Sequence, residues 1–598
     1  MRNKMNQSIN RVHSRSRSRA KSEDRELKTT DQPAMPSHYI YTLALLIFLL
    51  CSCIIFAQND SYSIDVDATC TDESAKNSTV AIPPPVENYR FPNCHLYVAK
   101  SSTKNDGLGL YSSVPIRRGQ PISQPDIIIQ ITDSLNMGIL LSDYSWNPDL
   151  FGGQYEANIV HSIIPGVGSI ANAVSDFRDA NAIFYGRRDV DEADVPRTTS
   201  PGAGAFTHYH NVSFFALKDI NAGEEILITY NNDPWFNERV NRMQKRIINE
   251  TMKSPDWLAE HGLCVGNLRP DTSKIKGAGR GAFSLNFIPK GARIAPAPLV
   301  VVDREFMMTN TTGKKRTTTK PQLLLNYCFG HVNSSLLFYP TSPSVNLINH
   351  GGEKSNARLH WSLSDQHEGK DWPWHLSLGD VKNLNRPGFM MDIVATRDIL
   401  PNEEILMDYG EAWEKAWKAH VQEWIAPINS NMYSPSYVMD DVAALLRTEK
   451  EQSVHPYPPN VFTACFYRYS AREINDGIAK DISQKRNEAT AHQWKADRRT
   501  FEFSNLRPCS ILNRDGSEDR NGKKVTYTVI MKNRRGLKPE EIIPNGSLHI
   551  VNGVPRSAIR FMDKYYTTDQ HLENAFRHEI QIPDEYFPSQ WMDLSLSA

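Results

Sequence analysis

Three short motifs in the second half of the chain carry the residues whose types and spacing could perform chemistry. The first is a glycine-rich turn, KGAGRGAFS at residues 276–284, and glycines allow a ligand to approach the backbone closely. The second is VNLINH at residues 345–350, and the third is EEILMDYG at residues 403–410. Each motif is common by itself, whereas their order and spacing taken together are specific.

In this order the motifs resemble those of the SET-domain family, the protein lysine methyltransferases. That family has a GxG turn, then an Asn-His segment, then a Glu-Glu-Ile/Leu-x-x-Asp-Tyr segment. The resemblance implies S-adenosyl-L-methionine as the cofactor and a lysine-containing protein as the substrate. It implies these cofactor-binding residues: Gly279, Arg280, Gly281, Asn349, His350 and Tyr409. Tyr409 also matches the tyrosine at the methyl-transfer centre of the family, which makes it the predicted catalytic residue.

The predicted reaction needs little acid–base machinery. Methyl transfer from a sulfonium is an in-line displacement by a neutral amine, so positioning supplies most of the barrier reduction. Tyr409 is predicted to aim its hydroxyl at the amine or the methyl group, while aromatic walls desolvate the lysine and lower its pKa. Tyr327 and Trp413 are candidate walls, and a position in the protein core is the alternative for each of them.

An internal repeat precedes these motifs in the chain. Residues 104–122 match residues 276–294 at a constant offset of 172, and a strand with the letters EEIL recurs later in each half. We therefore predict two copies of one domain, at residues 93–241 and 262–412.

The first copy departs from the family pattern at the predicted cofactor site. Asn172 is retained, but Ala173 stands in place of the histidine, and Thr229 replaces the aspartate before Tyr230. We predict that this copy is inactive and has a structural or substrate-binding role. A working Tyr230 in a rearranged pocket is the alternative.

The sequence pattern predicts a mainly β fold with some helices, of the α+β class. Short β-like runs separated by turn residues dominate both copies. Helical periodicity predicts helices within 235–253, 411–425 and 436–451. The predicted organisation is a basic disordered tail (1–38), a transmembrane segment (39–57), a stalk (58–92), the two SET-like copies (93–241 and 262–412), a helical connector (413–451) and a small β-rich C-terminal module of unknown role (452–598).

Residues 39–57 form a run of 19 residues without a charged side chain. A helix of this length crosses a bilayer, and the positive-inside rule keeps the basic tail at 1–38 in the cytosol. We predict a single-pass type II membrane protein whose bulk is lumenal or extracellular. A cleaved signal peptide and an apolar helix docked in a soluble core are the alternatives, and the Arg-Ser run in the tail could instead be a nuclear address.

Composition excludes several classes of protein. The chain has 67 Lys and Arg against 68 Asp and Glu, so it lacks the basic footprint of nucleic-acid binding, and no nucleic-acid partner is predicted. Hydrophobic residues make up 40% of the chain, which excludes wholesale disorder. Eight cysteines without CxxC spacing predict no metal site. Six of them lie beyond residue 57 and permit disulfides without indicating a pairing.

These patterns favour a membrane-anchored methyltransferase that acts on protein lysine side chains through the second copy. The main alternative is a non-catalytic interaction scaffold built from two SET-like folds, and a nuclear histone-modifying enzyme is the third possibility. The intact set of Asn349, His350 and Tyr409 in one copy disfavours a pure scaffold. The apolar run at 39–57 disfavours the nucleus.

Overall fold

A computed structural model of the chain describes residues 89–102, 107–132, 139–146, 159–174, 178–184, 189–190, 200–207, 209–229, 252–313, 316–362, 376–384, 387–468, 490–497, 499–501, 505–516, 525–531, 549–564, 572 and 574–593. The predicted tail at 1–38, the predicted membrane segment at 39–57, most of the predicted stalk at 58–92, Tyr230 and most of the predicted helix at 235–253 lie outside these ranges.

The described residues form a strand-rich fold with few helices, which confirms the predicted mainly β character. The helices are α1 (Ile139–Asp143), α2 (Val167–Ile170), α3 (Pro255–His261), α4 (Leu378–Lys382), α5 (Glu411–Glu423), α6 (Ser436–Val442) and α7 (Glu449–Gln452). None of the described helices has the length and apolar character needed to cross a bilayer.

The N-terminal lobe comprises the described residues between 89 and 229. Its strands are β1 (Leu96–Lys100), β2 (Leu108–Ser112), β3 (Ile129–Thr132), β4 (Ser145–Trp146), β5 (Ile159–Ile163), β6 (Asn172–Ala173), β7 (Ala182–Phe184), β8 (Asp189–Val190), β9 (Tyr209–His210), β10 (Phe214–Ala216) and β11 (Leu227–Ile228). Most are short. One apolar cluster packs between them, while other side chains of the same strands, such as Tyr97, Tyr111 and Ile129, belong to the core of the central lobe. Strands β6 and β11 pair in parallel, so that Ile228 lies beside Ala173.

The central lobe comprises the described residues between 252 and 423. Its strands are β12 (Leu263–Cys264), β13 (Leu268–Thr272), β14 (Arg280–Ser284), β15 (Arg293–Asp303), β16 (Met308–Gly313), β17 (Arg316–Pro321), β18 (Phe329–Gly330), β19 (Leu336–Pro340), β20 (Asn349–His350), β21 (Ala357–Trp361), β22 (Phe389–Ala395) and β23 (Glu404–Met407). The main sheet runs in the order β13-β14-β23-β21-β22-β15-β19-β18. Every residue of β19 and β22 is buried, which explains why both strands are nearly continuous apolar runs.

The pairing of β20 with β23 brings two of the sequence motifs together. The strands run parallel, with Asn349 beside Leu406 and His350 beside Met407. Strand β14, which forms the last five residues of the glycine-rich turn at 276–284, pairs antiparallel with β23 on its other side. One short strand therefore holds all three motifs in register.

The C-terminal sheet comprises the strands β24 (Val461–Phe466), β25 (Thr490–Gln493), β26 (Leu506–Asp515), β27 (Thr526–Met531), β28 (His549–Pro555) and β29 (Ile559–Asp563). They are arranged in the order β25-β28-β27-β26-β24-β29 around a separate apolar core. A disulfide between Cys465 and Cys509 joins β24 to β26.

The tail segment, residues 574–593, leaves this sheet and joins the central lobe. Its strand β30 (Ile580–Gln581) pairs in parallel with β18, and Trp591 is fully buried beside Trp361 and Phe389. The predicted module at 452–598 is thus divided between two cores. A short Pro- and aromatic-rich segment has no periodicity that would indicate which core it joins.

A second disulfide ties the two lobes at their first strands. Cys94 precedes β1 and Cys264 lies in β12, and the two strands pair antiparallel. The sulfur of the buried Cys328 is unoxidised, and burial raises the pKa of its thiol.

Candidate active site

A cavity of about 230 Å³ lies where the glycine-rich turn, β20 and α5 meet. Its lining comes from separate stretches of the chain: 202–207 of the N-terminal lobe, 275–280, 326–350, 409–417 and 576–580 of the tail segment. Of the predicted site residues, four line the cavity: Arg280, Asn349, His350 and Tyr409. The other two, Gly279 and Gly281, face protein side chains.

A buried carboxylate anchors the glycine-rich turn. Glu404 is 4% exposed and accepts hydrogen bonds from the Ser273 hydroxyl at 2.6 Å and from the Lys274 N–H at 2.8 Å. A Cβ atom added at Gly281 would lie 2.3 Å from Oε1 of the same carboxylate, so a side chain would displace it. The lack of a side chain at Gly281 therefore allows β14 to pack closely against the Glu404 carboxylate of β23.

Gly279 is required both by its backbone conformation and by a close neighbour. Its φ is +69°, in the region that L side chains rarely adopt. A Cβ atom at this position would lie 2.5 Å from the ring of Phe206, which belongs to the N-terminal lobe. The sequence predicted close approach of a cofactor at both glycines, whereas in the structure each glycine admits a protein side chain.

The Asn349 side chain connects β20 to the glycine-rich turn. Its Nδ2 donates to the Arg280 carbonyl at 2.8 Å and lies 3.4 Å from Oε1 of Glu404. The amide nitrogen is thus committed to protein acceptors. The amide oxygen remains as the group that Asn349 can offer to a ligand.

The half-buried His350 ring has a defined tautomer. Its Nδ1 accepts a hydrogen bond from the Tyr409 N–H at 3.1 Å, so the proton of the neutral ring lies on Nε2. Burial lowers the pKa of His350, and it outweighs the opposite effect of Asp408, whose Oδ1 lies 3.8 Å from Nδ1. The imidazole is therefore neutral near pH 7 and links the second motif to the third.

The Tyr409 hydroxyl is fixed by the backbone just before β20. It donates to the Ile348 carbonyl, and burial raises the pKa of the phenol, which stays neutral. The ring packs edge-on against Trp413, with 5.0 Å between centroids. The sequence predicted a hydroxyl aimed at the reacting amine or the methyl group. In the structure the hydroxyl proton is committed to Ile348, and the oxygen lone pairs remain for a ligand.

Aromatic side chains of α5 form one wall of the cavity. Trp413 and Trp417 stack with 5.8 Å between centroids, and Phe576 of the tail segment meets both rings edge-on, at 5.4 and 5.1 Å. Residues four apart lie on one face of a helix, so the spacing of Trp413 and Trp417 contained a signal for this wall. Phe576 follows Trp413 by more than 160 residues, and no local pattern links them.

Two further aromatic residues line the cavity. Tyr327 is only 7% exposed and lines the cavity, so it belongs to the protein core and also forms part of the cavity wall. Phe206 comes from the N-terminal lobe, and sequence reasoning missed it because nothing near it in the chain resembles a site motif. Within the ranges that the structure describes, no three His, Cys, Asp or Glu side chains are grouped as metal ligands would be.

One segment that contributes residues to this cavity matches a known family. Residues 279–410 match the family model described as SET domain. No curated protein matches the chain.

Three solved structures illustrate the similarity that is detectable. Neurospora DIM-5, a histone lysine methyltransferase, is 23% identical over 24% of this chain and 54% of that chain, with a TM-score of 0.17. KRYPTONITE in complex with mCHH DNA, an H3(1–15) peptide and SAH is 20% identical over 24% of this chain and 23% of that chain, with a TM-score of 0.15. A candidate histone methyltransferase of Plasmodium falciparum is 20% identical over 25% of this chain and 96% of that chain, with a TM-score of 0.16. TM-scores this low carry no information on the site. On the match to the family model, the chain contains a SET domain at residues 279–410.

Proposed function

We propose that the chain is an S-adenosyl-L-methionine-dependent methyltransferase that acts on protein lysine side chains. The domain at 262–412 carries the reaction. The supporting observation is the convergence of Asn349, His350 and Tyr409 on one cavity beside the glycine-rich turn. A scaffold without catalysis has no need of a cavity lined by this set.

The residues around the cavity fit this cofactor. The rings of Trp413, Trp417 and Phe576 offer apolar faces for a purine. The Asn349 amide oxygen and the groups of residues 276–280 offer polar contacts for a ribose and an amino-acid end. When bound, the cofactor supplies a methyl group activated by a sulfonium.

The chain contributes orientation and desolvation to the reaction. With its proton held by Ile348, the Tyr409 oxygen accepts an N–H of the incoming lysine amine and directs the nitrogen lone pair toward the methyl group. Tyr409 is not a base, because burial keeps its phenol neutral and its proton engaged. An amine entering between Tyr327 and Tyr409 loses water, which lowers its pKa and releases its proton to solvent before transfer.

We further propose that residues 93–241 are a degenerate copy of the same fold. Ala173 lies beside Ile228 in a parallel pair, just as His350 lies beside Met407, so alanine occupies the register position of the imidazole. Without that imidazole, a residue equivalent to Tyr409 has no Nδ1 acceptor for its N–H. We therefore assign the first copy a structural role.

The membrane anchor at 39–57 and a lumenal or extracellular location for the bulk of the chain also belong to this proposal. The disulfides Cys94–Cys264 and Cys465–Cys509 support it, because disulfides persist in oxidising compartments. The methyl acceptors would then be lysine-rich secreted or wall proteins.

Calorimetric titration of the full chain in detergent with S-adenosylhomocysteine tests the catalytic proposal, because this demethylated product of the cofactor binds without turnover. We expect one molecule bound per chain, and methyl transfer from labelled S-adenosylmethionine onto a lysine-rich protein mixture. His350→Ala introduces into the second copy the alanine that the first copy has at the matching position, Ala173. This change should weaken binding by about tenfold or more. Absence of binding to the wild-type chain would instead support the scaffold.

A further inference from the structure

One wall of the cavity comes from outside the matched SET segment. Residues 200–207, here called the strap, belong to the N-terminal lobe, and Gly202, Ala205, Phe206 and Thr207 of the strap line the cavity. The SET segment at 279–410 alone would leave this side of the cavity open.

The strap backbone is clamped by side chains from three other elements. Three of its carbonyls accept hydrogen bonds: Pro201 from Nε2 of His420 at 2.8 Å, Gly204 from Nη1 of Arg577 at 2.6 Å, and Ala205 from Nδ2 of Asn326 at 2.6 Å. Ala203 is fully buried and Thr207 is 6% exposed. A segment held by its main chain and buried to this extent is a fixed wall and not a removable lid.

The strap also fixes the position of Tyr327. The Thr207 N–H donates to the Tyr327 hydroxyl oxygen at 2.7 Å, while the Thr207 hydroxyl donates to the Ile128 carbonyl at 2.6 Å. Burial raises the pKa of Tyr327, so the phenol remains a neutral donor. One lone pair of its oxygen is used by Thr207, which sets the direction in which the hydroxyl can donate.

Phe206 supports the glycine-rich turn from the same strap. Its ring occupies the space above Gly279, where an added Cβ atom would lie 2.5 Å from Cε2 and 2.6 Å from Cζ. The turn on which Phe206 packs supplies Gly277, Ala278 and Arg280 to the cavity. Movement of this ring therefore changes the cavity wall.

We propose that the N-terminal lobe completes the ligand pocket, with Phe206 as the positioning residue for the Gly279 turn and Thr207 as the positioning residue for Tyr327. This inference rests on the methyltransferase proposed above and gives its first copy a direct part in the site. Ligand affinity is then set in part by side chains that lie outside the SET segment.

A double-mutant cycle between residues 206 and 279 tests the contact without any ligand. Gly279→Ala in the full chain should lower the unfolding midpoint, because the new methyl group collides with Phe206. In the Phe206→Ala background the collision is absent. Gly279→Ala should then lower the unfolding midpoint by clearly less, and only because alanine at residue 279 must adopt a positive φ. Equal losses in both backgrounds would overturn the proposal.

Phe184→Ala is the matched control. Phe184 is a partly buried aromatic residue of the same lobe that packs on Trp146 and Phe214, away from the cavity. Its loss should destabilise the lobe, combine additively with Gly279→Ala, and leave the Kd for S-adenosylhomocysteine within about twofold. Phe206→Ala should raise that Kd by about tenfold, and Phe206→Leu should restore most of the affinity. An equal rise in both alanine variants would mean that general destabilisation is the cause and would overturn the positioning role.

Hydrogen exchange tests the second half of the proposal. The Thr207 amide should be protected in the free wild-type chain and should exchange faster in Tyr327→Phe, which removes its acceptor. Rapid exchange in the wild type would show a mobile strap and overturn the proposal. If the wild-type chain binds no S-adenosylhomocysteine, the proposed function fails, but the stability cycle and the exchange experiment still decide whether the strap is a fixed wall.

Discussion

Asn172 and Asn349 make equivalent contacts in two parts of the chain. Nδ2 of Asn349 donates to the Arg280 carbonyl at 2.8 Å, and Nδ2 of Asn172 donates to the Leu108 carbonyl at 3.0 Å. Each carbonyl belongs to the glycine-containing turn that begins the corresponding repeat. The shared geometry supports the proposal that 93–241 is a copy of the SET fold, because in both places the asparagine side chain ties its short strand to the turn.

Substitution of either asparagine by aspartate tests whether that asparagine has a structural role alone or also takes part in ligand binding. Asn349→Asp would place an acceptor against Glu404, and Asn172→Asp would do the same against Glu225. Both changes should lower the free energy of unfolding by about 1–3 kcal/mol, because a hydrogen bond is replaced by repulsion between acceptors. Chemical denaturation measures this loss.

Only Asn349→Asp should also raise the Kd for S-adenosylhomocysteine, by about tenfold or more, because only its turn lines the cavity. Calorimetry on both variants, below their unfolding transitions, supplies the comparison. A rise in Kd for Asn172→Asp and none for Asn349→Asp would reverse the assignment of the active copy.

Removal of the Tyr409 hydroxyl tests its role in transfer. Tyr409→Phe keeps the ring and its packing on Trp413 but loses the oxygen that Ile348 orients. Loss of a preorganised polar group should cost on the order of 2–4 kcal/mol in the transition state, or roughly 30- to 1,000-fold in rate. Affinity for S-adenosylhomocysteine should change far less. The measurement is methyl transfer from labelled cofactor.

Tyr230→Phe is the matched control, because Tyr230 aligns with Tyr409 in the repeat. It should leave the rate nearly unchanged. Equal losses at both tyrosines would mean that both copies act, and an unchanged rate for Tyr409→Phe would exclude it as the catalytic residue.

The sequence was sufficient to predict contacts that lie within a repeat or a motif. Asn349, His350 and Tyr409 lie on or next to β20 and β23, whose parallel pairing brings His350 and Tyr409, 59 residues apart in the chain, into contact. Phe206 and Phe576 could not be predicted, because they reach the cavity from other parts of the chain through tertiary packing that leaves no local periodicity. At Gly279 and Gly281 the sequence predicted close approach of a cofactor, and the pattern gave no indication that Phe206 and Glu404 lie against these glycines.

Glycosylation at Asn211 tests the proposed topology. Asn211 begins an Asn-Val-Ser sequon and is exposed in the structure. If the bulk of the chain is lumenal, this asparagine should carry a glycan, so that glycosidase treatment increases the electrophoretic mobility of the wild type more than that of Asn211→Gln. The full chain should also stay in the membrane pellet after carbonate extraction. A soluble chain without glycan would contradict the anchor at 39–57.

Asp126 of the N-terminal lobe holds the segment that leads into β20. Its Oδ2 accepts a hydrogen bond from the Ser344 N–H at 3.1 Å, and its Oδ1 accepts one from the Ile127 N–H at 2.9 Å. The side chain is 6% exposed, and burial raises its pKa to about 7 although both N–H groups oppose the shift. The nearby Tyr339 phenol stays neutral, since burial raises its pKa as well.

This raised pKa fixes the sign of a pH effect on stability. The unfolded carboxyl titrates near its ordinary value of 3.8, so between about pH 4 and 7 the folded chain holds a proton that the unfolded chain has lost. The contribution of Asp126 is therefore fully present below about pH 4 and is lost as the pH rises toward 7, by at most roughly 4 kcal/mol for three pKa units.

Asp126→Asn should remove this slope, at a pH-independent cost of about 1–3 kcal/mol for a weakened hydrogen bond. Denaturant unfolding at several pH values between 5 and about 8 measures both terms. The exposed Asp219, which accepts the Arg118 N–H, is the control, and Asp219→Asn should keep the wild-type slope. An unchanged slope in Asp126→Asn would mean that the buried carboxyl is ionised in the folded chain and that its two N–H donors outweigh burial.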